Sequence, residues 1–123
     1  MIFAAVMLGG FSAAAGAQPA DQIQVSVPVH IRPRAVYDVT IHGFARTRST
    51  AYLFIDYSSC ARSFAVERRR APNESDDYAV SRRFTEISGW RSSSAGIDHA
   101  CAYLVATRSG RVLASVRRAF TIQ

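Results

Sequence analysis

The stretch HACAYLVATRSGRVLASVRRAF, residues 99–120, places two apolar runs on either side of a Ser-Gly pair. In its first half both alternation sets are apolar: Cys101, Tyr103 and Val105 on one side, Ala102, Leu104 and Ala106 on the other. Successive side chains of a strand point to opposite faces, so a strand of this composition has no wet face and its second face needs a cover. After a turn at Ser109-Gly110, Val112, Ala114, Val116, Phe120 and Ile122 share one face of the next strand. Cys101 heads the first run, and its only potential partner, Cys60, lies 41 positions upstream.

The segment around Cys60 suggests what the cover is. SSCARSFAVERRR, residues 58–70, brings helix formers, a candidate Ser cap and Ala61, Phe64 and Ala65 at helical spacing, and Pro72-Asn73 stops it. A short helix is expected here, lying across the second face of the Cys101 strand, with a Cys60–Cys101 bond anchoring it. A broadly exposed Tyr103 or Leu104 would contradict that arrangement.

The rest of the chain reads as strands. In IQVSVPVHI, residues 23–31, every second residue is apolar, and Pro28 marks an edge strand because its nitrogen cannot donate. Arg32-Pro33-Arg34 makes a corner, and Tyr37, Val39, Ile41 and Gly43 share one face of a second strand. ARTRSTA, residues 45–51, reads as a polar turn, whereas AYLFIDY, residues 51–57, suits a central strand. Alternation resumes at Tyr78, Val80, Arg82 and Phe84. SGWRSSSAGID, residues 88–98, reads as a loop that carries Trp90. About seven strands at spacings near a dozen residues, interrupted by one short helix or loop after the third, make an antiparallel sandwich.

Length and composition fix the setting. IFAAVMLGGF, residues 2–11, is a short apolar core, and Ala15-Gly16-Ala17 offers small residues before a cut, although no basic residue precedes the core. Residues 1–17 are expected to be an export signal and 18–123 one domain. The apolar run of about 16 residues is short of the roughly 20 that span a bilayer, so no transmembrane segment is expected after cleavage. Two cysteines in an exported chain favour a single disulfide. The expected location is secreted or extracytoplasmic, at the cell envelope.

The net charge is +6, from 15 basic and 9 acidic residues. Every basic residue is Arg, and Asn73 is the only Asn. That bias points to a GC-rich coding sequence, so the arginine excess is discounted as evidence for a polyanion ligand, and no nucleic-acid partner is expected. The candidate anion-binding residues are Arg68, Arg69 and Arg70 with the pairs Arg82-Arg83 and Arg117-Arg118. Trp90 is the candidate for stacking on a ligand; plugging the end of the sandwich is the plainer role.

Catalytic patterns are weak. Asp98 and His99 are adjacent in a strand and so point to opposite faces, which leaves Asp98 unable to orient His99 toward Ser92, Ser93 or Ser94. Glu67, Arg69 and His99 form an acid, cation and base set without a spacing motif. His30, His42 and His99 lack ligand spacing and there is no Cys-x-x-Cys, so neither metal nor cofactor is expected.

LFIDYSSC (residues 53–60), YAVSRRFT (78–85), CAYL (101–104) and LASVRRAFTI (113–122) resemble segments of the small exported immunoglobulin-like proteins of high-GC actinobacteria. The resemblance implies an immunoglobulin-like sandwich and a place outside the cytoplasm, and no mechanism. It departs from the antibody pattern: Cys60 follows the third strand, Trp90 lies away from that strand, and His99 stands where a corner Tyr is expected. The function expected is that of a non-catalytic binding or structural module, its partner an anionic envelope polymer or another envelope protein. The alternative is a small secreted enzyme or protease inhibitor, or an anionic-polymer binder using an Arg-rich face.

Overall fold

The computed structural model describes residues 19–70 and 74–123; the expected signal at 1–17 lies outside them. The elements, in chain order, are β1 (Gln22–Ser26), β2 (Val36–Asp56), α1 (Phe64–Arg70), β3 (Asp76–Arg91), β4 (Gly96–Ala106) and β5 (Val112–Ile122). All strand pairs are antiparallel, in the order β1-β2-β4-β5 with β3 on β2 as well.

Five continuous strands thus stand where about seven were expected, because two of them are long and bent. β1 pairs with residues 40–44 of β2, β4 pairs with residues 49–56, and β3 follows β2 through both parts. The β2–β3 register shifts between Ala45 and Ser49, and Arg82, opposite Ala45, has a φ of 59°. A bulge sharpens local bending and twist. Here it curls the sheet over, so that β1 packs against β4 and β5 in a sandwich-like arrangement.

Residues 45–51 are therefore strand, not the expected turn. The backbone groups that the irregularity frees find other partners. Arg46 N donates to Asp21 Oδ1 at 2.7 Å, Thr107 N to Arg48 O at 3.0 Å and Ser49 Oγ to Thr47 O at 3.0 Å. The polar residues that looked like a turn serve a bend within one strand. β1, by contrast, stops at Ser26 rather than Ile31, since Pro28 has no N–H for the ladder. The chain then crosses to the other half, where Ile31 bridges Ile122 in the parallel sense and accepts from Gln123 N at 2.9 Å.

Between the two halves lies the main core, with Val39, Ile41, Ala45, Leu53, Ala100, Ala102 and Leu104 fully buried. The outer face of β2 and β4 carries a second cluster of Phe54, Cys101, Tyr103 and Val105, on which Tyr52, Cys60 and Phe64 pack. Phe64 from α1 sits 5.3 Å from the Tyr103 ring and 4.8 Å from Tyr52, centroid to centroid. Such aromatic pairs contribute roughly 0.5–1.5 kcal/mol each beyond the area they bury. The Cys60–Cys101 disulfide fastens this cover to the sheet. Tyr103 and Leu104 are both buried, and the apolar second face of β4 is accounted for. One detail differs: Ala65 points to solvent, and Glu67, one turn after Phe64, faces the sheet instead.

Candidate functional site

Under α1 the structure assembles an acidic pair beside the disulfide. Glu67 is fully buried; its Oε1 accepts from Ala61 N at 3.0 Å and from the Tyr103 hydroxyl at 3.4 Å, while Oε2 has no partner. Asp56, the last residue of β2, has its carboxyl pushed up to about 7, first by burial and then by the neighbouring Glu67 carboxyl; Arg70 opposes the shift. Arg70 Nη1 lies 3.9 Å from Asp56 Oδ2, and Cys101 Sγ lies 3.4 Å from the same oxygen. Burial followed by the Glu67 charge pushes the Tyr103 phenol up to about 12. Asp56, Cys60 and Cys101 offer the one close set of metal-type ligand atoms among the described residues. Two of the three are disulfide sulfurs and not thiolates, so the set does not make a metal centre.

The arginines do not gather. Arg68 lies over the Tyr52 and Phe64 rings, at 5.1 and 5.6 Å, and Arg70 Nη1 donates to Ser59 O at 3.1 Å. Arg117 Nη2 donates to Ala61 O at 2.9 Å, so it ties β5 to the loop before α1. Arg69 and Arg118 are exposed. Arg82 and Arg83 sit on β3, which pairs only with β2, whereas Arg117 and Arg118 sit on β5, which pairs only with β4. Two strands separate the pairs within the sheet. Among the described residues the only ion pair is Arg70–Asp56.

Trp90 is not in a loop. It continues β3 opposite Tyr37, because pairing with the long β2 overrides the loop character of Ser88-Gly89. Its Nε1 donates to Ser88 Oγ at 2.6 Å, and Ser88 in turn donates to Asp76. The half-buried ring closes part of the open end of the sandwich, where a cleft of about 360 Å³ is lined by Ile55, Tyr57, Glu74, Asp76, Trp90 and Asp98, among others. Asp98 is 5% exposed, its carboxylate faces the cleft, and no hydrogen bond from the described residues contributes to its environment. Burial raises its pKa, with His99 opposing. Tyr37 is pushed up to about 12 by burial first, then by Asp98 and Tyr57. This acidic, aromatic cleft has no contiguous signature, since its lining comes from four separate stretches.

The remaining candidates serve the fold. Ser92 Oγ accepts from Ala35 N at 3.0 Å and donates to Arg32 O at 2.6 Å, which pins the corner at 32–35. His99 lies across from Asp56 on the α1 side of β4, while Asp98 faces the open end.

No family model matches the chain, and no curated protein is similar to it in sequence. Solved structures share its fold. The sulfur carrier protein SoxY from Chlorobium limicola f thiosulfatophilum superposes with a TM-score of 0.53 at 15% identity, over 98% of each chain. The CARDB domain of a Pyrococcus furiosus protein, solved in complex with di-metal ions, gives a TM-score of 0.50 at 9% identity, over 85% of this chain and 89% of that one. At these identities the likeness is one of fold. The described residues form a disulfide-bonded, antiparallel, sandwich-like β domain with one short helix among them.

Proposed function

We propose that this chain is a non-catalytic binding module that works outside the cytoplasm, with the immunoglobulin-like layout its motifs resemble. Counted by halves, β2 and β3 turn five strands into seven segments, three facing four, which supports that layout. The observation that carries the reading is the Cys60–Cys101 bond clamping α1 over the second face of β4. Disulfides of this structural kind persist in oxidising compartments. Groups of catalytic type are occupied elsewhere. Glu67 holds the Ala61 amide and Tyr103 beneath the helix, and Ser92 holds a corner. The separation of the arginine pairs favours a protein or small-ligand partner over an extended anionic polymer. Among the described residues no helix is long and apolar enough to cross a membrane.

The test is to express the full chain in an exporting bacterial host and weigh the product with and without reduction. The expected product lacks residues 1–17 and is two hydrogens lighter than its reduced form. A cytoplasmic product of full length, equally stable with both thiols free, would overturn the reading.

A further inference from the structure

We propose that the cleft at the open end of the sandwich binds an organic cation, the guanidinium or ammonium head of an arginine-like or amine ligand, with Asp98 as its counter-ion and Tyr57 and Trp90 as its walls. The inference deepens the binding-module reading above and rests on it. Asp98 carries the argument. A carboxylate with 5% exposure and no donor among the described residues has only the cleft water to solvate it, and a ligand with N–H donors seated there would replace that water with charge-assisted hydrogen bonds. It lines the cleft beside Glu74 and Asp76, so a ligand there meets three acids.

The walls are suited to the same head group. Tyr57 is 69% exposed, a large ring left in solvent at the rim. Trp90 is held in place through Ser88 and Asp76, so its ring is ordered before any ligand arrives. Ring faces attract desolvated cations, and a wall fixed in advance lowers the entropy cost of binding. The chain's own nearby cation does not fill the role: Arg91 lines the cleft, yet its Nη1 donates to Arg34 O at 3.1 Å and it forms no ion pair with these acids.

A metal ion fits less well. The oxygens of Glu74, Asp76 and Asp98 do not all three lie within 4.8 Å of one another. Spread acids suit a head group with several N–H donors, of which a guanidinium has five on one plane. A cleft of about 360 Å³ is near the small end of ligand sites, sized for one side chain or a small amine.

Because Trp90 is the only tryptophan, its emission reports this site directly. The oxidised protein is titrated with n-butylguanidinium and, separately, with uncharged n-butylurea. A saturable emission change is expected for the cation alone, weakening as salt is added. Asp98→Asn should weaken it about tenfold or more, and Tyr57→Ala, at a rim position outside the core, by about three- to fivefold. An equal response to n-butylurea, or unchanged binding in Asp98→Asn with a native circular-dichroism spectrum, overturns the proposal. If Asp98→Asn does not fold, unchanged binding in Tyr57→Ala does so. N-acetylarginine amide set against a Gly-Arg-Gly peptide separates the sources: tighter peptide binding assigns a basic chain, equal binding a free small cation. An exported, oxidised chain that binds neither removes this ligand class and leaves the module reading standing.

Discussion

Asp56 offers a sharp test of how α1 is held. Replacing it by Asn keeps the size but removes the titration. In the folded chain its carboxyl is raised from the ordinary 3.8 to about 7, and its side chain is only 15% exposed. A carboxyl raised on folding stabilises while protonated in both states. Above its unfolded value the unfolded chain gives up the proton first, and stability then falls until pH passes the folded value. Three units at about 1.4 kcal/mol each amount to about 4 kcal/mol, lost between about pH 4 and pH 8. Glu67, Glu74 and Arg70 surround the group, and His99 lies across the strand pair. The growing positive charge of the whole chain at low pH is shared by parent and variant. The quantity to read is therefore the difference between Asp56→Asn and parent, from urea unfolding followed by Trp90 emission at pH 4 to 8. The variant should gain on the parent steadily across that window and level off beyond it. A difference that stays flat, or falls with pH, would refute the buried acid pair.

Two further outcomes test the frame. Replacing both Cys60 and Cys101 by Ala opens a loop of 41 residues; the chain-entropy estimate gives about 4 kcal/mol, and for a domain of this size a drop in Tm of roughly 15–25 °C by calorimetry. A shift of only a few degrees would mean that α1 stays on β4 without its bond. Gly43→Ala should cost about 1–3 kcal/mol, because a Cβ there collides with the backbone carbonyl of Gln22, where β1 crosses closely over β2. Hydrogen exchange at Ile23 and Val25 should quicken as β1 loosens, and unchanged protection would contradict that close approach.

What could be read from the chain was local and periodic. The alternation of Ile23 and Val25 and the two-faced apolar run at 101–105 each announced a burial that exists. The unpaired second face of β4 demanded a cover, and the residues after Cys60 were the helical segment at hand. The bends were harder. Arg46, Thr47 and Arg48 look like a turn because polar, exposed residues mark both a chain reversal and a bulge in a continuing strand; only the partner strand β3 distinguishes them. Trp90 was hidden for a similar reason, since Ser88-Gly89 weakens the strand pattern that β2 restores. In sequence Glu67 stands out only beside Arg69 and His99, a set without a spacing motif. Its place three residues after Phe64 put it on the same helix face, and that spacing was the signal for a buried acid.

The charge balance shows the difference between composition and placement. The sum of +6 suggests a uniformly basic molecule, and codon bias suffices to explain its arginines. The acids are few, which makes their positions informative. Five of the nine, Asp56, Glu67, Glu74, Asp76 and Asp98, gather at one end, two of them as a pair under α1 and three around the cleft. Of these, Asp56 has a single arginine partner and Asp98 has none among the described residues. Fifteen arginines scattered over the surface make neutralising such a cluster easy. That Arg91 reaches a backbone carbonyl instead, at the very edge of the cleft, leaves the negative end open to a cation from outside. A basic protein would then meet its ligand at a cleft lined by three acids and a single arginine.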